Sequence, residues 1–385
     1  MNLFHIYYGT AGNAGLYLDE IHTALKDICD QKLFVNYYYP FNEENTHKCF
    51  FKFTEKHENN NFDLLNKSKI RLFIRGIELF FGYIYVLFYI LYKKPEIINF
   101  SLINTFGATF FLKSINLLSP KTKIIITCHD VIPYENSYNN KNLAERKIIF
   151  KRIFDLGDFL LVHNNFSKKT LKNDYNVNDK KIFEHKFPIM DLSKLTNKDE
   201  LKNTNDHSKK FLFIGYLRKE KGIDILLDAW EKVEDQKNIN LTIAGFKPNN
   251  ENYNFDQIRN FKNFTLKLYR LSDEEYINEI NNSDFVIFPY KKVSNSGVLS
   301  TVVSLGRIPV VSDLEPFTTN EFVDEQFVFR SNSSEDLAKT INKIKLLSFD
   351  EIDKYKKRLK NKFDKKNDSN KINIKETYLK IFSCI

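Results

Sequence analysis

Short uncharged runs alternate with amphipathic stretches along the chain, and the whole alternation occurs twice. In the first half, residues 3–8 form an apolar run closed by Gly9. The stretch TAGNAGLYLDEIHTALKDI then opens as a loop and continues with Leu16, Leu18, Ile21 and Leu25 as the apolar positions of a helix. Residues 33–39 read as a second strand and 43–61 as polar loop, while 66–94 predict a long helix interrupted near Gly76 or Gly82. Residues 96–100, Lys123–Thr127 and Phe159–Val162 are short apolar runs of the kind buried on both faces of a parallel sheet. Ser167 is placed to start the helix after the last of them.

Around Pro188 the pattern stops in a polar stretch with few apolar residues, and then it resumes. Strands are expected at 211–215, 240–245, 264–268, 284–288 and 308–312, with helices at 222–234, 272–282, 297–305 and after Ser334. The resulting division is a domain over 1–190, a linker over 191–209, a second domain over 210–350, and C-terminal helices over 351–385, the last packing back on the first domain. The fold class is α/β, with two Rossmann-like, doubly wound domains facing each other across a cleft. Ligands of such sheets bind at the carboxyl ends of the strands.

At 385 residues the chain is long for one core, and 42% hydrophobic content suffices for two. The net charge of +9 arises from 58 basic residues spread along the chain without a zinc-finger, RNP-like or basic-helix pattern, so no nucleic-acid partner is expected. Cys29, Cys49, Cys128 and Cys384 have no CxxC spacing, which fits a reducing cytoplasm. The start reads as a strand running into glycines, and no signal peptide is expected. Residues 79–92 are 14 without a charge, short of the roughly 20 that span a bilayer. Two readings stay open for them. The preferred one is a helix buried behind the first sheet; the other is a surface helix that meets an anionic leaflet, with Lys67, Lys69, Arg71 and Arg75 before it and Lys93 and Lys94 after it.

Glycine is scarce, 12 residues in all, and eight of them fall at or near strand–helix junctions. The run Gly215-Tyr-Leu-Arg-Lys-Glu-Lys-Gly222 sets Arg218 and Lys221 beside a turn, a fork and a point charge for phosphate oxygens. The plainer reading of the run is a solvated charged turn. A second turn, Ser294-Asn295-Ser296-Gly297, precedes the helix VLSTVVSLG, where free N–H groups and the helix dipole suit an anion. Ser296 also suits a simple helix cap, and the two roles are compatible. His129-Asp130 follows a buried strand, either as a core pair or at an active site; His163 lies in a similar place. His5, His22, His47, His57, His185 and His207 show no partner spacing and read as structural or exposed.

Together these segments resemble the GT-B glycosyltransferases, in particular family 4 of retaining enzymes that use nucleotide-activated sugars. FIGYLRKEKG is similar to that family's phosphate grip, and PYKKVSNSGVLSTVVSLGRIPVVSD to its later segment, with one residue extra before Pro309. LTIAGFK and LSDEEYINEINNSDFVIFPY resemble the strands and helix of its nucleotide pocket. GTAGNAG, ITCHDVIP and LLVHNNFSKKTLKNDYNV resemble the segments of its first domain that face donor and acceptor.

The resemblance implies a nucleotide-sugar donor held by Arg218, Lys221, Gly215 and the N–H groups around Ser296, Gly297 and Val298. Gly245, Phe246 and Leu271 would lie near the base, Gly12 and Gly15 on the donor-facing loop, and His129 beside the transferred sugar. It also implies a glycan or lipid-linked glycan acceptor, a cytoplasmic enzyme at the inner face of a bacterial membrane, and no cofactor. No DxD triplet occurs, so no metal is expected. One departure stands out: the two glutamates usual in the family fall, in register, on Val293 and Thr301. Glu315 is the nearest carboxylate that sequence offers instead. The alternative is a catalytically silent GT-B subunit that scaffolds a polysaccharide-synthesis complex.

Overall fold

Apolar runs too short for helices become the strands, and the glycines and amides that follow them turn the chain into the next helix. The computed structural model describes residues 1–9, 13–41, 44–54, 69–101, 107–133, 143–188, 208–248, 251–255 and 263–385. The described residues divide into two units, one made of those within 1–133, 143–188 and 369–385, the other of those within 208–368.

Among the described residues the first unit holds β1 (Asn2–Tyr7), β2 (Asp30–Asn36), β3 (Thr46–Phe50), β4 (Ile97–Phe100), β5 (Lys123–Thr127), β6 (Phe159–Val162) and β7 (Ile182–Glu184). They form one parallel sheet in the order β3-β2-β1-β4-β5-β6-β7. Helices α2 (Lys69–Lys93), α3 (Ala108–Leu118), α4 (Leu143–Leu156) and α5 (Asn165–Tyr175) pack in one core with side chains of the sheet. Helix α1 (Asn13–Leu25) and the end of the C-terminal helix pack in another, around Tyr17, Ile21 and Tyr378. A buried polar chain fixes that terminal segment: Thr127 donates to Asn99, and Asn99 donates to the Tyr378 hydroxyl at 3.0 Å.

The second unit repeats the scheme with β8 (Lys209–Ile214), β9 (Ile239–Ala244), β10 (Phe264–Lys267), β11 (Phe285–Phe288), β12 (Ile308–Ser312) and β13 (Val328–Phe329), in the order β10-β9-β8-β11-β12-β13. Its helices are α6 (Ile223–Glu231), α7 (Asp273–Asn281), α8 (Gly297–Ser304), α9 (Glu315–Thr318), α10 (Ser334–Lys345) and α11 (Phe349–Phe382), the last ending in the first unit. Both sheets are parallel and helix-covered, so each unit is a Rossmann-like α/β domain.

Several expectations change. Residues 43–61 contain β3, an edge strand half polar in composition, which the pattern did not mark. Helices α3 and α4 were not read from sequence; α3 starts at Gly107 without a side-chain cap, so no capping residue announces it. Asn164, not Ser167, caps α5, accepting from the Ser167 N–H at 2.8 Å. Lys209 and Lys210 belong to β8, and residues 191–207 lie outside the described residues, as do Lys67, His57 and His207.

Helix α2 runs through both of its glycines. Gly82 is where the helix crosses β3: a Cβ there would sit 2.4 Å from the buried ring of Phe50 and 3.0 Å from the Cys49 carbonyl. Gly76 faces open space. Gly76→Ala is therefore expected to raise stability by about 0.5–1 kcal/mol through helix propensity, while Gly82→Ala lowers it by roughly 1–3 kcal/mol through overpacking. Denaturant melts of the two variants check the opposite signs.

The burial expected for residues 79–92 holds on one side only. Leu79, Tyr83, Val86 and Ile90 are buried, whereas Phe80, Phe81, Phe88 and Tyr92 are exposed.

Candidate functional site

The strand order of the second sheet reverses direction at β8: β9 lies on one side and β11 on the other. The crevice at the carboxyl ends of such a pair is where open α/β sheets hold ligands. Both glycine turns leave the sheet here, one after β8 and one after β11.

Local chemistry explains the first turn. Gly215 and Gly245 end adjacent strands with φ of 131° and 138°, and a Cβ on Gly245 would lie 1.8 Å from the Gly215 carbonyl. Only glycine lets the two backbones pass this closely. Leu217 N–H donates to the Phe246 carbonyl, and Tyr216 and Phe246 meet edge to face at 5.8 Å. Arg218 then precedes a single 3₁₀ turn, Lys219–Lys221, which Gly222 closes with φ 68°. A Cβ on Gly222 would lie 1.7 Å from the Pro289 carbonyl, so this residue seats the first turn directly on the end of β11.

Two of the three cations of this turn, Arg218 and Lys221, have different partners. The Arg218 guanidinium lies 3.8 Å from the nearly buried Glu220 carboxylate and 5.0 Å from the centre of the Tyr216 ring. Its side chain keeps about a third of its surface, 36%, in solvent. The Lys221 ammonium stands 3.7 Å over the buried ring of Tyr290. Burial raises the Tyr290 phenol above its usual range, so the ring stays neutral, and Ser296 hydrogen-bonds to it. Tyr290 thus links the two turns: Lys221 on one side, Ser296 on the other. Sequence reading did not single it out, although it is the second residue past a fully buried strand, in the segment FPY.

Ser296 caps α8, accepting from the Leu299 N–H at 3.2 Å, and Gly297 and Val298 form its first turn. Leu271 follows β10 on the same rim and packs partly buried against the core beside the capping residue Ser272. Arg218, Lys221, Gly215, Gly245, Phe246, Leu271, Ser296, Gly297 and Val298 therefore share the strand-end rim of the second unit. Its chemistry suits an anion: fixed N–H groups, a helix dipole and two cations.

Val293 and Thr301 are not on the open rim. Val293 is 3% exposed and Thr301 fully buried, with the Thr301 hydroxyl donating to the Gly297 carbonyl inside α8. Glu315 opens α9. Among the described residues no group of three or more His, Cys, Asp or Glu is placed to hold a metal ion.

In the first unit, Gly15 lies in α1 with Pro40 3.3 Å from where its Cβ would be, and Gly12 lies outside the described residues. His129 follows β5, its ring edge-on to Tyr17 at 4.4 Å. It belongs to a row that sequence did not reveal: His163 follows β6 and His185 follows β7, with ring centres 5.3 and 4.8 Å apart. These separations are close to the spacing of neighbouring strands, because each strand end delivers one imidazole. His163 and His185 are buried; His129 retains some surface, but its Nε2 is enclosed. Burial lowers His129 and His185 to about 4 and His163 well below its usual value; His185 adds to the shift of His129, and both His185 and His129 add to that of His163.

The sign of the consequence is fixed. Between pH 6.5 and 4 the unfolded chain binds protons at these positions and the folded chain does not, so stability falls as pH drops through that window. Each histidine contributes a slope of about 1.4 kcal/mol per pH unit there. Melting temperature is expected to decline steadily from pH 6.5 to 5, and a flat profile would contradict the neutral row.

Residues 196–366 match the model of the family described as glycosyl transferases group 1. No curated protein matches the sequence. Among solved structures, Anabaena HepE in complex with UDP and glucose aligns over the full length of both chains, with 13% identity and a TM-score of 0.66. Sucrose-phosphate synthase from Thermosynechococcus elongatus does so with 12% identity and a TM-score of 0.68. The lipopolysaccharide outer core galactosyltransferase WaaB, in its apo form, aligns with 97% of this chain and 99% of its own, at 14% identity and a TM-score of 0.57. At these identities the likeness is one of fold.

Proposed function

We propose that this chain, a GT-B protein whose second half belongs to the group 1 glycosyl transferases, moves a hexose from a nucleoside diphosphate to a glycan or lipid-linked glycan, with retention of configuration and without a metal. The observation that carries the reading is the pair of glycine turns at the β8/β11 reversal, joined through Tyr290 and topped by Arg218 and Lys221. Departure of a sugar loads negative charge onto the leaving diphosphate, and donors already fixed in place stabilise that charge without reorganising. Arg218 would grip the phosphate oxygens, Lys221 would add charge, and the N–H groups of Gly297 and Val298 would complete the cradle. The base would rest near Gly245, Phe246 and Leu271. The first unit would take the acceptor, with His129, neutral at pH 7, beside the transferred sugar. Synthesis of a bacterial surface polysaccharide, on the cytoplasmic side of the membrane, is the setting this reading favours.

UDP is the first nucleotide to try, since it is the one bound in the HepE structures. A ligand at 100 times its dissociation constant stabilises the folded state by about 2.7 kcal/mol, a plain shift in a melting curve. The expected result is a shift with one of UDP, GDP or ADP, together with slow hydrolysis of the matching donor sugar. A second reading has its own support: with Val293 and Thr301 buried where the family carries carboxylates, the donor sugar lacks two partners, which favours a silent scaffold subunit. A chain that shifts with no nucleotide and hydrolyses no donor would be that scaffold.

A further inference from the structure

We propose that α2 and α3 form a docking face for an anionic lipid bilayer, on which the first unit lies with α2 parallel to the membrane plane. The idea stands on surface geometry and does not depend on the transferase reading.

Helix α2 turns its charged residues away from one side. Arg71 donates to the Thr54 carbonyl, the Arg75 guanidinium sits 3.7 Å over the Phe51 ring, and Glu78 accepts from the Phe53 and Thr54 N–H groups. All three are thus held by residues 51–54. The opposite side, read at helical spacing from Ile70 to Tyr92, carries no charge at all. Phe73, Phe80, Phe81, Phe88 and Tyr92 on or beside it are each between 54% and 75% exposed. Helix α3 packs alongside, with Phe111 stacked on Tyr83 at 4.3 Å, and adds Phe110 and Leu117, more than 70% exposed. A soluble surface seldom leaves so many aromatic side chains together in water.

The helix is long and apolar enough to cross a membrane by composition, but the fold excludes that use of it. Leu79, Tyr83, Val86 and Ile90 on its inner side are built into the core of the first unit. It can only lie flat, as interfacial helices do.

Charge selects the occupant. Lys93 and Lys94 end α2, Lys113 stands between Phe110 and Leu117 at the spacing of one helix face, and Lys121 follows α3. All four are exposed. Helix α3 has no acidic residue, Glu78 is held by residues 53–54, and Glu96 accepts from the Asn2 N–H at 2.7 Å. A second copy meeting this face across a twofold axis would set lysines against lysines, with no exposed carboxylate among the described residues of α2 and α3 to pair them. An anionic leaflet supplies both the apolar depth and the countercharge.

The test is flotation of the full chain with vesicles of phosphatidylcholine alone and of an equimolar mixture with phosphatidylglycerol, beside light scattering without lipid. The wild type is expected to float with the mixed vesicles, and Phe81→Glu/Phe88→Glu to lose at least tenfold of the bound fraction while keeping its melting temperature. Should that variant fail to fold, Lys93→Glu/Lys94→Glu, at two exposed positions outside the core, must still show a severalfold loss. Absence of wild-type flotation, equal flotation with neutral vesicles, or undiminished flotation of both variants would overturn the proposal. So would a lipid-independent dimer that Phe81→Glu/Phe88→Glu dissociates.

Discussion

Arg218→Ala is expected to lower turnover by two to three orders of magnitude while shifting the melting temperature by no more than a few degrees. Removing one preorganised donor from a site of developing charge typically costs a factor of about 10²–10³ in kcat. The side chain holds little of the fold together: it is 36% exposed, and its ion pair with Glu220 spans 3.8 Å. A pair of that length, partly in solvent, contributes roughly 0–1 kcal/mol. The loss should fall on kcat more than on KM for the donor, because charge on the diphosphate grows only as the sugar departs. Arg218→Lys refines the test. A lysine restores a point charge but not the fork, so it should recover part of the rate and not all of it. If turnover survives Arg218→Ala, the guanidinium is not on the phosphates and the proposed donor site is wrong.

That Arg218 could be chosen from sequence follows from how sparingly this chain uses glycine. Gly215, Gly222, Gly245 and Gly306 all adopt positive φ at strand or helix ends, where a side chain would be strained. Each therefore marks a junction that an apolar run on one side has already announced. β8, β11 and β12 were legible for the same reason, being short and almost wholly buried, whereas the two-residue β13 carries no pattern to read. Where the alternation is diluted, the reading failed. β3 lies at the sheet edge with Lys48 exposed and His47 half-buried, and its composition resembles loop. The histidine row was out of reach because its members are far apart in sequence and meet only through the strand order β5-β6-β7. The available signal was modest: His129, His163 and His185 each fall one or two residues past a strand end. Tyr290 follows the same rule. Sequence periodicity places residues on strands and helices, but the order of strands across the sheet decides which ends become neighbours.

The second large effect is expected from Gly222→Ala, and Gly306→Ala supplies its control. The two glycines have the same backbone conformation, φ 68°. An alanine in that region costs about 1–2 kcal/mol in either place. What differs is the space. At Gly306 the nearest atoms are the Lys360 Cβ at 3.3 Å and the Lys356 carbonyl at 3.5 Å, so the methyl group fits with a small adjustment. At Gly222 it would lie 1.7 Å from the Pro289 carbonyl oxygen, and backbone must move. Pro289 joins β11 to Tyr290, so the displacement separates the first turn from the second. Overpacking of this kind adds roughly 1–3 kcal/mol. Gly222→Ala should therefore melt several degrees below Gly306→Ala, at about 2–4 °C per kcal/mol for a domain of this size. It should also weaken nucleotide binding, which Gly306→Ala leaves intact, since Lys221 is positioned over Tyr290 across the contact that is lost. Equal melting temperatures for the two variants would mean that the turn tolerates movement away from β11, and the two glycine turns would then not form one rigid cradle.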